Sequence, residues 1–290
     1  MTVTERRVRY RKVLKGRECI YPASVYDPVS ARIAESLGFE IGMLAGSIAS
    51  ATVLGAPDLV LLTLTEFTEQ VRRITRSTSL SLMVDADHGY GNALNVMRSV
   101  EELEAAGASA LTVEDTLLPR QYGQGKGEKL VSIAELVAKL KAALTARQDP
   151  SLVIVGRTAA LRSQGISGAM SRIKACTDAG VDAIFIVGVR TRQDVEAIHQ
   201  ATSLPLLLGS IPPSLSDRGF LSANGVRVAL QGHIPFRVTV KALHETYRHL
   251  REGGSPAALK EKTASDDLMS LALREANYAR WKRDYLGEPG

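Results

Sequence analysis

Residues 80–89 read Leu-Ser-Leu-Met-Val-Asp-Ala-Asp-His-Gly, an apolar run of strand length that ends in acidic residues. Similar runs rich in Val, Ile and Leu recur along the chain, and stretches with helical patterning separate them. The eight runs begin at Cys19, Phe39, Leu80, Ala110, Leu152, Ala183, Pro205 and Val226. Continuous apolar strands that alternate with helices predict a parallel sheet, because parallel strands need crossovers of about a dozen residues or more. Eight such units predict an α/β fold, a (β/α)8 barrel of the TIM type.

A helical arm is expected to follow the barrel. Gly253, Gly254 and Pro256 interrupt the helix that comes after the eighth strand. We therefore expect residues 1–252 to form the barrel, including a basic N-terminal helix, and residues 253–290 to form a C-terminal helical arm. The arm carries large apolar residues, namely Leu268, Met269, Leu271, Leu273, Tyr278, Trp281 and Tyr285. These can pack on the same barrel or on a neighbouring subunit, and we favour the neighbour.

The positive charge of the chain is concentrated at its N-terminus. The 290 residues carry a formal net charge of +5. Residues 1–17 hold seven Lys or Arg and one Glu, so this segment contributes +6 and leaves −1 for the rest of the protein. A basic surface spread over the fold is not supported, which argues against a nucleic-acid partner.

The sequence favours a cytoplasmic protein without a membrane span. No apolar run approaches the roughly 20 residues that cross a bilayer, and the N-terminal segment lacks the apolar stretch of a secretory signal. An Arg-rich transit peptide is the alternative, which Glu5 and the scarcity of Ser weaken. Cys19 and Cys176 are isolated thiols without metal-like spacing, so neither a disulfide framework nor a zinc site is indicated.

Acidic residues follow two neighbouring strands at the end where a barrel of this kind carries its active site. Asp85 and Asp87 start on the same face of the third strand, and Glu114 ends the fourth. Three carboxylates in one pocket repel one another unless a cation lies among them, and oxygen ligands select Mg²⁺ or Mn²⁺. We expect Asp85 to bind the ion directly and the other two to act partly through water. The alternative is that these acids pair with Lys or Arg or cap helices.

Neighbouring strand ends supply groups that bind anions. Arg157 can hold a carboxylate through two parallel hydrogen bonds, and the Gly46-Ser47 turn offers backbone N–H and hydroxyl donors. A metal, an arginine and a set of donors suit a small polyanion. The alternatives are a barrel salt bridge between Arg157 and Glu114 and an ordinary tight turn at Gly46-Ser47.

Five segments carry a family resemblance, and they are Tyr26-DPVSARIAESLGFE, Gly46-Ser47, Asp85-ADHGYGN, Val113-Glu114-Asp115 and Val155-GRT. Over about residues 15–250 they resemble the isocitrate lyase and phosphoenolpyruvate mutase superfamily. The resemblance implies an α/β barrel, Mg²⁺ and an α-oxo-carboxylate ligand. It also implies a helix-swapped oligomer, which we expect to be a homotetramer built from two swapped dimers.

The same resemblance assigns roles by position in this sequence. It implies that Asp85 is the direct metal ligand and that Asp58, Asp87 and Glu114 support the metal or bind it through water. It also implies that Ser47 and Arg157, with Gly46 beside them, hold the substrate carboxylate.

The loop after the fourth strand separates the branches of this superfamily. Isocitrate and methylisocitrate lyases carry a proton-donating Cys there, and residues 119–129 contain none. Phosphonate-forming mutases and phosphonopyruvate hydrolases use Lys and Asn on this loop, and no such pair aligns with Arg120, Gln121 and Tyr122. Decarboxylation of a β-keto acid needs neither, since a metal stabilises the charge of the enolate that remains. The chain strongly resembles the oxaloacetate decarboxylase branch, which implies that oxaloacetate gives pyruvate and CO₂.

In that branch a His follows the eighth strand, and His233 stands at this place. We expect His233 to orient the substrate and polarise its 2-oxo oxygen, so that Asp85, Arg157 and His233 are the catalytic residues; a helix-capping His is the alternative. The Gly-containing loop 116–129 is either a lid or a flexible connection. Alternative functions are a C–C bond lyase or hydrolase of the superfamily acting on another 2-oxo acid or a substituted malate, and, less favoured, a barrel that binds a dicarboxylate without turnover.

Overall fold

The computed structural model describes residues 1–125 and 127–287. It contains eight strands, which are β1 (Ala23–Ser24), β2 (Ile41–Leu44), β3 (Ser81–Asp85), β4 (Ala110–Glu114), β5 (Val153–Thr158), β6 (Ala183–Ile186), β7 (Leu206–Leu208) and β8 (Val226–Ala229). Each strand coincides with one of the eight apolar runs, and β5 extends one residue beyond its run, to Thr158. The strands pair in parallel in sequence order from β1 to β8. The predicted strand–helix alternation is confirmed.

Helices connect and follow the strands. The helices in the described ranges are α1 (Val3–Lys15), α2 (Pro28–Ser36), α3 (Gly46–Val53), α4 (Leu64–Thr75), α5 (Ala93–Ala105), α6 (Ile133–Ala146), α7 (Ala160–Ala179), α8 (Arg192–Ala201), α9 (Arg218–Ala223), α10 (Ile234–Arg251), α11 (Asp266–Leu273) and α12 (Glu275–Leu286). Two 3₁₀ turns lie at Pro213–Leu215 and Pro256–Lys262. No helix within residues 1–125 and 127–287 is long and apolar enough to span a membrane.

The sheet closes into a barrel through the residues just before β1. Ile20 forms a parallel bridge with Val228 of β8. Its N–H donates to Arg227 O at 2.9 Å, and its carbonyl accepts from Ala229 N at 3.0 Å. Ladder pairing of β1 is short because Pro22 has no N–H to donate. The (β/α)8 barrel is therefore closed, as the sequence predicts.

Helix α1 closes the N-terminal end of the barrel. Tyr10 is fully buried, and its hydroxyl donates to Met83 Sδ at 3.2 Å. Arg6 donates to Thr75 O at 2.6 Å, and Arg7 donates to Ala108 O at 3.0 Å. The N-terminal arginines are therefore bound to backbone carbonyls of the barrel, so part of the basic charge serves the fold.

Helix α10, which follows β8, is exposed in the single chain. No residue of α10 is buried, although Val240, Leu243 and Tyr247 are large and apolar. Helix α11 of the C-terminal arm packs on α2 of the same chain, where Arg32 Nη1 donates to Ala272 O at 2.8 Å. The arm predicted over residues 253–290 contains α11 and α12, and residues 288–290 lie outside the described residues. Its expected contact with a neighbouring subunit stays a prediction.

Candidate active site

A cavity of about 350 Å³ lies at the C-terminal end of the barrel. Seven of the eight residues that the sequence singles out line it, and these are Ser47, Asp58, Asp85, Asp87, Glu114, Arg157 and His233. The eighth, Gly46, is buried next to Ser47. Residues from distant parts of the chain meet here because parallel strands bring their carboxyl ends to the same rim.

Asp85 is the last residue of β3 and is almost completely buried. Its Oδ1 accepts from Thr112 Oγ1 at 2.9 Å and from the backbone N–H of Asp87 at 3.2 Å. Its Oδ2 accepts from Arg157 Nη1. The carboxylate is therefore held in one orientation by groups on β4, on β5 and on its own loop.

Asp87 occupies an unusual backbone conformation beside Gly46. Its φ is +47°, in the left-handed region that non-glycine residues rarely adopt. Its carbonyl accepts from Glu114 N at 2.8 Å, which fixes the turn. A Cβ added to Gly46 would stand 2.8 Å from both carboxylate oxygens of Asp87, too close for any side chain. Glycine at position 46 thus leaves the space that the Asp87 carboxylate fills.

Arg157 is the central cation of the cavity. Its Nη1 pairs with Asp85, and its Nε lies 2.9 Å from Glu114 Oε2. The ring of Phe185 lies behind it, with the guanidinium carbon 5.3 Å from the ring centroid. Burial disfavours its charge, but the neighbouring carboxylates outweigh burial and raise the pKa of Arg157 above its ordinary value. The sequence leaves two roles open for Arg157, carboxylate binding and a salt bridge to Glu114. The salt bridge is present in the structure.

The carboxylates outnumber the cations, which favours a bound metal ion. Burial and the neighbouring charges of Asp85 and Glu114 raise the pKa of Asp87 well above its ordinary value. Burial likewise raises the pKa of Glu114, although Arg157 opposes the shift. A cation among these groups would relieve the repulsion that produces such shifts. The donor set consists of carboxylate oxygens, which suits Mg²⁺.

The arrangement of the acids limits how an ion can be bound. Within residues 1–125 and 127–287, no group of three or more His, Cys, Asp or Glu side chains is arranged so that it could hold a metal ion. Mg²⁺ characteristically keeps several water ligands and takes one or two carboxylates directly. Binding through one direct carboxylate, with the other acids reached through water, stays a prediction.

The start of α3 adds donors to the same rim. Gly46 and Ser47 are the first two residues of the helix, and Ala45 before them has no capping side chain. N–H groups in the first turn of a helix have no intrahelical acceptor and favour an anion. Ser47 lines the cavity, so its N–H and hydroxyl are available to an anionic ligand there.

His233 lies between β8 and α10 at the cavity wall. Its Nδ1 is 2.8 Å from Ser24 Oγ at the end of β1. Burial lowers the pKa of His233, while the charges of Asp85 and Asp58 oppose that shift. The lowered pKa favours the neutral imidazole, which carries one N–H donor and one acceptor nitrogen. His233 also occupies the N-cap position of α10, but its side chain makes no capping hydrogen bond.

The loop after β4 covers one side of the cavity. Its base is closed by an antiparallel bridge between Thr116 and Leu130. Glu128 lines the cavity and forms an ion pair with Arg162 at 2.6 Å, which ties the loop to α7. The predicted lid over residues 116–129 includes residue 126, which lies outside the described residues. Closure of the loop over a substrate stays a prediction.

A family model described as phosphoenolpyruvate phosphomutase matches residues 10–251. The chain belongs to this family. An oxaloacetate decarboxylase of Bradyrhizobium sp. strain BTAi1 is 51% identical over 290 residues, covering 100% of both chains. Other relatives of the same name are 49–50% identical over 287 residues. The resemblance recognised in the sequence, including the oxaloacetate decarboxylase branch, is therefore confirmed.

Solved structures of two other enzymes share this fold. A phosphonopyruvate hydrolase in complex with oxalate and Mg²⁺ superposes with a TM-score of 0.87 at 29% identity, covering 99% of this chain and 100% of that one. An oxaloacetate acetylhydrolase with the inhibitor 3,3-difluorooxalacetate superposes with a TM-score of 0.85 at 27% identity, covering 99% of each chain. Of these two structures, the phosphonopyruvate hydrolase contains Mg²⁺.

Two residues of the site lie outside the sequence-based prediction. Arg162 lines the cavity from the first turn of α7, five residues after Arg157. Ser24 contacts His233, and its position at the end of the first apolar run was a usable signal. By contrast, Asp115 of the Glu-Asp pair is fully buried away from the cavity, where it accepts from Thr158 Oγ1 at 2.5 Å.

Proposed function

We propose that this chain is a Mg²⁺-dependent oxaloacetate decarboxylase, a carboxy-lyase that converts oxaloacetate to pyruvate and CO₂. One observation carries the proposal. Over its full length, the chain is about half identical in sequence to curated oxaloacetate decarboxylases. The acid-rich cavity with Arg157 among its carboxylates supports it, because the substrate is a small dianion that must be held by a metal and a few donors.

Asp85 is the proposed direct ligand of Mg²⁺, with Mn²⁺ as the alternative ion, and Asp58, Asp87 and Glu114 are proposed to act through water. The rigid hydrogen bonding of Asp85 and the raised pKa of Asp87 support this assignment. When bound, the metal supplies a Lewis acid that stabilises the negative charge left when the C4 carboxylate departs as CO₂.

Arg157 and the first turn of α3 are proposed to bind the C1 carboxylate. Arg157 presents a planar guanidinium suited to a carboxylate, and the N–H groups of Gly46 and Ser47 add donors from the facing rim. Nε2 of His233 is proposed to donate a hydrogen bond to the 2-oxo oxygen, where negative charge develops. Water or a weak acid then protonates C3 of the pyruvate enolate.

The experiment that tests the proposal measures pyruvate release from oxaloacetate by the purified protein. Free Mg²⁺ also decarboxylates oxaloacetate, so the metal-only rate is the baseline. We expect turnover well above that baseline with Mg²⁺, its loss in EDTA, and its loss in Asp85→Ala. A rate equal to the metal-only baseline would refute the decarboxylase assignment.

A C–C bond lyase or hydrolase acting on another 2-oxo acid or a substituted malate is the second candidate. The structural similarity to an oxaloacetate acetylhydrolase favours it, since that enzyme belongs to the same fold. The absence of Cys among the described cavity residues weighs against the cysteine-dependent lyases. Oxalate and acetate formed from oxaloacetate, in place of pyruvate, would identify the hydrolase.

We infer that the active enzyme is a cytoplasmic homotetramer built from two helix-swapped dimers. The bare apolar residues of α10 support an assembly, because exposed apolar patches mark interfaces. An apolar groove of about 910 Å³ between α2 and the start of α10 offers a place for a partner helix. Cys19 and Cys176 are free, buried thiols, which supports a reducing compartment. We also propose that the boundary between the barrel and the C-terminal arm lies between residues 252 and 253.

A further inference from the structure

Ser24 is held in a fixed position beside His233, which lines the active-site cavity. It is the second residue of β1 and pairs in register with Met43 of β2. The next residue, Val25, donates from its N–H to Met43 O at 3.0 Å. The backbone on both sides of Ser24 is therefore anchored to the barrel, and its hydroxyl approaches His233 from a rigid strand.

His233 has much less support from its own segment. It follows Gly232, whose φ is +82°, and precedes α10, in which no residue is buried. Among the described residues, Ser24 Oγ is the one hydrogen-bond partner of the imidazole, at 2.8 Å from Nδ1. The orientation of the ring about its side-chain torsions therefore depends on this contact.

We propose that Ser24 is a positioning residue that donates its hydroxyl hydrogen to Nδ1 of His233 and so keeps the ring proton on Nε2. This role of Ser24 rests on the proposed function, because oxaloacetate presents only acceptor oxygens to the cavity. A ring nitrogen that contacts those oxygens has to carry the hydrogen, and a neutral imidazole carries one. A hydroxyl that donates to Nδ1 selects the tautomer with the hydrogen on Nε2.

The first test is a double-mutant cycle on decarboxylation. Removal of one neutral hydrogen bond corresponds to a loss of about three- to tenfold, so we expect Ser24→Ala to lower kcat by that factor. Ser24→Thr, which keeps a hydroxyl, is expected to restore most of it. In a His233→Ala background, Ser24→Ala is expected to cause no further loss, since its effect passes through the imidazole. An equal loss in both backgrounds would overturn the proposal.

The second test does not depend on turnover. In protein labelled with ¹⁵N-histidine at pH 8, we expect His233 to show an unprotonated Nδ1 and a protonated Nε2, with its resonances assigned by their absence in His233→Ala. Ser24→Ala is expected to shift the ring towards a mixture of tautomers. A protonated Nδ1 in the wild type would overturn the proposal even if decarboxylation is confirmed. The tautomer result stands by itself if oxaloacetate is not the substrate, so the two proposals fail separately.

Discussion

Arg157 Nε lies 2.9 Å from Glu114 Oε2, and the same guanidinium contacts Asp85 through Nη1. Asp85 and Glu114 are the last residues of β3 and β4, and Arg157 is the second-to-last residue of β5, so one cation joins two carboxylates across the rim of the barrel. This arginine balances part of the acidic charge of the cavity. The proposed Mg²⁺ would balance another part, which would leave the guanidinium available to a substrate carboxylate.

Arg157→Lys tests that role. Lysine keeps the charge but loses the planar pair of donors, so we expect KM for oxaloacetate to rise at least about tenfold. Steady-state kinetics at saturating Mg²⁺ measure the change. Arg192→Lys is the matched control, because Arg192 also pairs with an acid, Asp217 at 2.9 Å, and stacks on an aromatic ring, but does so on the exterior. An unchanged KM in Arg157→Lys would contradict carboxylate binding by this residue.

Asp85→Asn is expected to abolish measurable Mg²⁺ binding, because it removes the direct ligand. Thr112→Val offers a graded comparison, since Thr112 donates to Asp85 Oδ1 at 2.9 Å. Groups that orient a ligand contribute about 10- to 100-fold in metal affinity, so we expect Thr112→Val to weaken binding within that range. Calorimetric titration with Mg²⁺ in the absence of substrate measures both variants. Wild-type affinity in Asp85→Asn would exclude Asp85 as a ligand.

His233→Ala is expected to lower kcat/KM at least about tenfold while Mg²⁺ affinity is retained. The loss follows from removing a donor aimed at the oxygen where charge develops. His199→Ala on α8 is the control, because that imidazole lies outside the cavity. Normal kinetics in His233→Ala would leave this residue with a structural role only.

The sequence predicts the strands and the acidic rim because both depend on local patterns. Apolar runs define β3 to β8 directly, and their last residues point to the site. The roles of Gly46 and Ser24 depend on contacts with Asp87 and His233, which are distant in sequence. No local pattern predicts such contacts, since they arise only when the barrel closes.

The basic N-terminal helix illustrates the same limit. Its charge is visible in the sequence, and a short basic helix is expected there. The acceptors of its arginines, such as Thr75 O and Ala108 O, are backbone carbonyls from separate turns of the barrel. Because every residue has a carbonyl, the sequence cannot indicate which ones the arginines bind.

Asp149 provides a prediction for stability against pH. Burial raises the pKa of this carboxyl, but hydrogen bonds from Arg7, Ser151 and Thr4 outweigh burial and lower the pKa to about 2, from 3.8. A carboxyl whose pKa is lower in the folded state stabilises the fold fully above the unfolded value, and this stabilisation is lost as the pH falls through the folded value. The relevant window therefore runs from about pH 4 down to about pH 2.

Asp149→Asn should thus lower the free energy of unfolding at pH 6, and the difference from wild type should shrink as the pH falls through that window. Urea unfolding at several pH values measures it. Asp178→Asn is the control, since Asp178 is an exposed acid paired with Lys174 at 3.1 Å. A difference that stays constant down to pH 2 would show that the Asp149 charge does not stabilise the fold.

Deletion of residues 255–290 is expected to break the oligomer. The arm carries exposed apolar side chains such as Leu268 and Tyr278, and burying them against a neighbouring subunit would stabilise the assembly. Size-exclusion chromatography with light scattering measures the mass of the particle. Because α11 also holds α2 of its own chain, the melting temperature of the shortened protein must be measured to exclude unfolding. An unchanged mass would refute an arm-mediated assembly.

Leu243→Glu separates the contribution of α10 from that of the arm. Leu243 is exposed in the single chain, so a charge there costs little unless a partner covers it. We expect a smaller particle with an unchanged fold, whereas Lys241→Ala on the same helix should leave the mass unchanged. Dissociation by Leu243→Glu without dissociation by the deletion would place the interface on α10 alone, and the arm would then serve only its own barrel.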